Sequence, residues 1–217
     1  MNLAASIKQV WYWPMSTFEA GMQLGSTQRE RTEQQQHNRQ WLCQMISSQR
    51  LGKTCLPYHV GLHPVDFNWL MEHQLNRCAQ PHKHISPSSV DHGQARNQED
   101  LRQQLLEMRE DEWVEIRDLL RRHRRGLDDL ELVVSDVLAA GCLGKEHLWR
   151  DLGLNNRTEL SQMISANFPE LAEKNDKNMK WKKFFYKQLC EEGGGYVCRA
   201  PSCQECATYS DCFGPEE

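Results

Sequence analysis

Glu99-Asp-Leu-Arg-Gln-Gln-Leu-Leu-Glu-Met-Arg-Glu-Asp-Glu-Trp-Val-Glu-Ile-Arg-Asp-Leu-Leu-Arg-Arg-His-Arg-Arg125 is the stretch whose periodicity decides the fold. Leu101, Leu105, Leu106, Trp113, Ile116, Leu119 and Leu120 recur at helical spacing in a background of Gln, Glu and Arg. That pattern predicts one long amphipathic helix over 99–125. Arg121, Arg122, His123, Arg124 and Arg125 close it, where the helix dipole favours positive charge, and Gly126 stops it.

Downstream, Leu127, Leu130, Val134, Val137 and Leu138 form the next apolar stripe, up to about Cys142. His147 to Gly153 reads as a short helix closed by its glycine. Asn156, with Glu159 three residues on, is a capping box for a helix carrying Leu160, Met163 and Ile164. Pro169 ends that helix and opens another to Asn175. The last predicted helix, 178–189, sets Trp181, Phe184, Phe185 and Leu189 on a buried face and Lys180, Lys183 and Lys187 on another.

Upstream, Trp41, Leu42, Met45 and Ile46 predict a helix over 32–48, and a second short helix starts at Pro64. The prolines, serines and histidines of 81–93 read as a linker, which leaves His82, His84 and His92 on a solvated loop. No stretch reads as a strand. The expected architecture is all-α: a variable arm, short helices and linker over 1–98, a helical core over 99–190, and an irregular cysteine-rich tail over 191–217.

Composition narrows the function. Hydrophobic residues make up 39% of the 217, a lean share that leaves part of the length outside a packed core. A net charge of -4 argues against non-specific nucleic-acid binding. The N-terminus lacks a secretory pattern and no run approaches a membrane span, so a cytoplasmic protein without nucleic-acid or membrane partners is expected. No nucleophile and base pair, phosphate loop or zinc protease motif is present, and no catalytic residue is assigned.

The chemistry concentrates in the tail. Cys198, Cys203, Cys206 and Cys212 stand at C-x4-C-x2-C-x5-C spacing, so local turns alone can gather four sulfurs. In a reducing compartment such thiols bind metal more readily than each other. The leading C-x4-C-x2-C is the ligand spacing of plant-type ferredoxins and points to an iron-sulfur cluster, with a four-thiolate zinc site as the alternative. Cys190, Cys142 and His147 are secondary metal-ligand candidates; a buried thiol and a core histidine are the plainer readings of the last two. Six lysines against Asp176 over 174–187 give a local balance of +5, which offers Lys180, Lys183 and Lys187 for steering an anion. Leu148 to Ile164 could also form a DNA-binding helix-turn-helix, and with the cluster this would make a redox-sensing regulator. Arg157 offset by Glu159 is poor provision for phosphate contacts.

Met179-Lys-Trp-Lys-Lys-Phe-Phe-Tyr-Lys-Gln-Leu-Cys190, Gly195-Tyr-Val-Cys-Arg-Ala-Pro-Ser-Cys203, Cys206 and Cys212-Phe-Gly-Pro215 together resemble the C-terminal signature of the NifQ family of nitrogen-fixation proteins. His147-Leu-Trp-Arg-Asp-Leu-Gly-Leu154 and Asn167-Phe-Pro-Glu-Leu-Ala172 extend the resemblance over 127–215. It implies a molybdenum donor, not an enzyme, for assembly of the nitrogenase iron-molybdenum cofactor. It further implies an oxygen-sensitive cluster of [Mo-3Fe-4S] type, or a [3Fe-4S] or [4Fe-4S] precursor, on Cys198, Cys203, Cys206 and Cys212. The implied partners are the cofactor scaffold complex and the nitrogenase iron protein, with molybdate as metal source.

Overall fold

An amphipathic helix hides only one stripe, so each of these helices needs neighbours to cover it. A computed structural model describes residues 28–75, 101–193, 209–214 and 216, and among them there is no strand. The helices are α1 (Gln28–Arg50), α2 (Pro64–His73), α3 (described over 101–108), α4 (Glu110–Arg122), α5 (Leu130–Cys142), α6 (Leu148–Leu152), α7 (Arg157–Asn167), α8 (Pro169–Lys174), α9 (Trp181–Glu192) and α10 (Tyr209–Phe213). The all-α class holds for the described residues.

α5 is the centre. Val133, Val134, Val137, Leu138, Ala139 and Ala140 are buried around most of its circumference, with α4 and α1 packed against it. Trp113, Ile116, Leu119 and Leu120 supply the face of α4, and Leu42, Met45 and Ile46 that of α1. α9 packs on α4 and buries Trp181, Phe184 and Phe185 in the core. Leu56, Val60, Phe67 and Leu70 join the same core, so the buried set draws on both sides of residue 98. α1 runs further than its apolar residues require, because Gln34 bonds Asn167 (3.1 Å) and Asn38 bonds Asp128 (2.9 Å) across the packing.

The single helix expected over 99–125 is two. The chain breaks at Arg109 (φ -116°, ψ 30°), and α4 ends at Arg122. Leu101, Leu105 and Met108 are 54%, 50% and 81% exposed, so their repeat finds no core to hold it in line with α4. Arg109 instead bonds Glu112 twice, at 2.7 Å each, and the Leu143 carbonyl at 2.7 Å.

Turns set the angles between helices. The Asn156 side chain accepts the Glu159 N–H (2.9 Å), whereas the Glu159 carboxylate reaches the N–H of Asn155 (2.7 Å), one residue earlier than a capping box has it. The buried Glu131 carboxylate accepts the N–H groups of Gly126, Leu127 and Asp128, which ties the turn into α5. Gly153 ends α6 at φ +75°, where a Cβ would lie 2.3 Å from that of Ser48 on α1. Gly126, at φ +79°, faces open space. Gly126→Ala is expected to cost only the left-handed backbone penalty of about 1–2 kcal/mol. Gly153→Ala must also push α1 away and is expected to cost roughly 3 kcal/mol or more; urea unfolding of the two variants measures the difference.

Candidate functional site

α9 leads into the cysteine tail, so its seating comes first. Trp181 meets Phe184 edge to face (5.7 Å) and donates its indole N–H to Ser161 (3.0 Å). Lys182, next along, is carried inward beside this apolar stripe. Its Nζ forms a salt bridge with Asp151 and donates to the Gly144 carbonyl at 2.7 Å. The two side chains are 16% and 3% exposed. The Asp151 carboxylate also accepts the Glu146 N–H (3.0 Å), and its backbone carbonyl accepts the Cys55 N–H (3.2 Å). Gly144 is bare because a Cβ there would fall 2.4 to 2.5 Å from that carboxylate.

Cys55 and Cys142 flank the ion pair. Burial pushes both thiols up to about 12; the Asp151 charge adds to the rise at Cys55, and Lys182 opposes it at both. Cys142, a secondary ligand candidate, thus presents a neutral thiol in the core. On the outer side, Tyr186 donates its hydroxyl to Glu112, which Arg109 holds below the usual carboxylate range. Burial first, and then that bond, raise the Tyr186 phenol.

Of the four thiols assigned to the cluster, Cys198, Cys203 and Cys206 lie outside the described residues. Cys212 is described. It stands on α10, half-buried, and packs with Phe213 against the core. Its carbonyl accepts the Lys180 N–H (2.7 Å), and Lys180 Nζ donates to the Ser210 carbonyl (3.2 Å). Beyond it, the Glu216 carboxylate receives Arg157 Nη1 at 2.6 Å and lies 4.0 Å from His147 Nδ1. Cys190 is half-buried in the last turn of α9. Among the described residues no three Cys, His or carboxylate side chains gather as a metal site. Cys43 on α1 is disulfide-bonded.

The lysine row divides by environment. Lys183 is exposed, Lys187 pairs with Glu191 (3.2 Å), and Lys180 is occupied with Ser210. The helix-turn-helix reading gains no support: α6 has five residues, and Arg157 is spent on Glu216 and on Asn178 and Met179. Lys182, Asp151 and Glu216 were not anticipated from periodicity. The one available signal was a lysine adjoining the aromatic stripe of α9.

A family model described as NifQ matches residues 41–214. Protein NifQ of Azotobacter vinelandii is 49% identical over 180 residues, which is 82% of this chain and 89% of that protein. The Protein NifQ homolog of Sinorhizobium fredii is 44% identical over 102 residues, 47% of this chain and 44% of its own. Protein NifQ of Klebsiella pneumoniae is 47% identical over 81 residues, 37% and 48% of the two chains. No solved structure matches.

The raised thiols have a measurable consequence. Alkylation at pH 8 under native conditions is expected to spare Cys55 and Cys142 until the chain unfolds, as peptide mass spectrometry would show. A folded-state value lifted from 9.0 to about 12 disfavours the thiolate only in the fold. These two groups therefore leave stability unchanged below pH 9.0 and lower it as pH rises from there toward about 12.

Proposed function

Because the chain belongs to the NifQ family, we propose that it is a molybdenum carrier for nitrogen fixation. In this reading it receives molybdenum derived from molybdate, holds it with iron and sulfide on C-terminal thiolates, and delivers it for assembly of the nitrogenase iron-molybdenum cofactor. The observation that carries the proposal is the C-x4-C-x2-C-x5-C run of Cys198, Cys203, Cys206 and Cys212, which falls inside the matched span 41–214.

The donor set suits the cargo. Thiolates are soft ligands that favour iron-sulfur cores and reduced molybdenum over hard cations. Three thiolates suffice for a three-iron core, which leaves one to contact or release a fourth metal. Among the described residues, Cys212 packs with Phe213 at the edge of a core closed by the apolar faces of the helices. Ligands gathered from one short run of chain can release a cargo by local rearrangement, at far less cost than unfolding a helical core. The chain acts as donor, not catalyst, and the reduction of molybdate falls to an external electron source. The proposed recipients are the cofactor scaffold complex and the nitrogenase iron protein, in the cytoplasm. Among the described residues no helix is long and apolar enough to cross a membrane.

Cys203→Ala is expected to abolish iron and molybdenum loading while leaving helical content nearly unchanged. Anaerobic reconstitution followed by metal and sulfide analysis and circular dichroism tests this, and full loading of the variant would remove the assignment. The lysines of α9 would act as a field, drawing in the oxyanion before coordination. Lys183→Gln combined with Lys187→Gln, which spares the Lys180 contacts to α10, is expected to slow molybdenum uptake at low ionic strength and to have little effect at high salt. Equal uptake at both salt levels would end the steering role.

A further inference from the structure

We propose that Arg157 and Glu216 are positioning residues for Cys212: with Lys180 they fix the last thiol of the cysteine run on the folded core before any cluster is bound. The inference rests on the reading of Cys212 as a cluster ligand.

Arg157 is the first residue of α7, directly after the Asn156 cap, so its position is set by that helix. Its Nη2 donates to the Asn178 carbonyl (3.0 Å), the Asn178 side chain (2.8 Å) and the Met179 carbonyl (2.9 Å). These bonds hold the turn before α9, where Asn178 adopts φ +54°. Lys180 follows immediately and grips α10 twice, by its N–H at Cys212 and its Nζ at Ser210. Arg157 Nη1 meanwhile takes Glu216 on the far side of Cys212 at 2.6 Å. One guanidinium thus secures both the element that receives α10 and Glu216, three residues beyond the end of α10.

The Glu216 end is a committed contact. Its side chain is 3% exposed, and Oε2 is buried without a hydrogen-bond partner. A carboxylate so desolvated is tolerated only while its cation stays in place. Tyr209 stacks on Phe213 at 4.4 Å, which keeps α10 compact between the two grips. The remaining three thiols share the C-x4-C-x2-C part of the run, so the fourth comes from a separately anchored element. A ligand whose carrier is already seated loses little further freedom on coordination.

The test uses the full chain and Glu216→Gln, with Glu216→Ala alongside because glutamine can still accept the arginine's hydrogen bond. N-ethylmaleimide labelling of the metal-free protein is followed at Cys212 by mass spectrometry. The same proteins are then reconstituted with ferrous iron and sulfide and compared by iron content and electron paramagnetic resonance. Labelling of Cys212 is expected to rise about tenfold or more in Glu216→Ala, with helicity retained. Iron content is expected to fall, with a changed cluster spectrum. Unchanged labelling in both variants, in a parent that does bind iron and sulfide, would overturn the positioning role and leave the carrier reading intact. Faster labelling with parental iron content and spectrum would also overturn it. A parent that takes up neither iron nor sulfide removes the cluster reading itself, whatever the labelling shows.

Discussion

The buried pair of Lys182 and Asp151 is the constraint on which the placement of the functional end depends. Two charges out of water are costly, and an apolar pair of similar size would often be as stable or more so. What this pair contributes is orientation. Asp151 lies on α6, Lys182 on α9, and their partners Gly144, Glu146 and Cys55 come from two loops. An aromatic stripe alone would tolerate small rotations of α9; a lysine required to reach one carboxylate and one carbonyl does not. The missing side chain at Gly144 is part of the same fit, since the carboxylate fills the space a Cβ would take.

From that anchor the structure builds outward by short links. Fixing α9 fixes Lys180, whose backbone and side chain both hold α10. Arg157, on a different helix, braces the turn before α9 and Glu216, three residues past the end of α10. Charged residues that composition would assign to solvent are therefore used inside the molecule. The lysine-rich helix is less of an open cationic face than its net balance suggests.

Helices with an apolar stripe were legible because their period survives in the chain: α5, α7 and α9 fall within a few residues of the expected spans, and α4 lies inside the longer span expected over 99–125. The break at Arg109 was not legible, because Leu101 and Leu105 continue the period while facing solvent. The extension of α1 to Gln28 escaped for the opposite reason, since residues 28–31 are polar and at or near the surface and add nothing to the apolar period. At the candidate site, the four thiols are proposed from spacing, a local property. Arg157 with Glu216 and Lys182 with Asp151 are pairs 59 and 31 residues apart, and no periodicity marks such distances.

The core carries a consequence for how cargo and folding are related. In a zinc finger the metal supplies the folding energy, and stripping it leaves an unfolded chain. Here the central layers of α1, α4, α5 and α9 are closed by leucine, valine and aromatic side chains that come from residues before the cysteine run. If the chain carries the cargo proposed above, emptying and refilling it would be reversible acts on a standing scaffold. On that reading one copy would serve round after round, limited by supply and acceptor, with no need to be made anew.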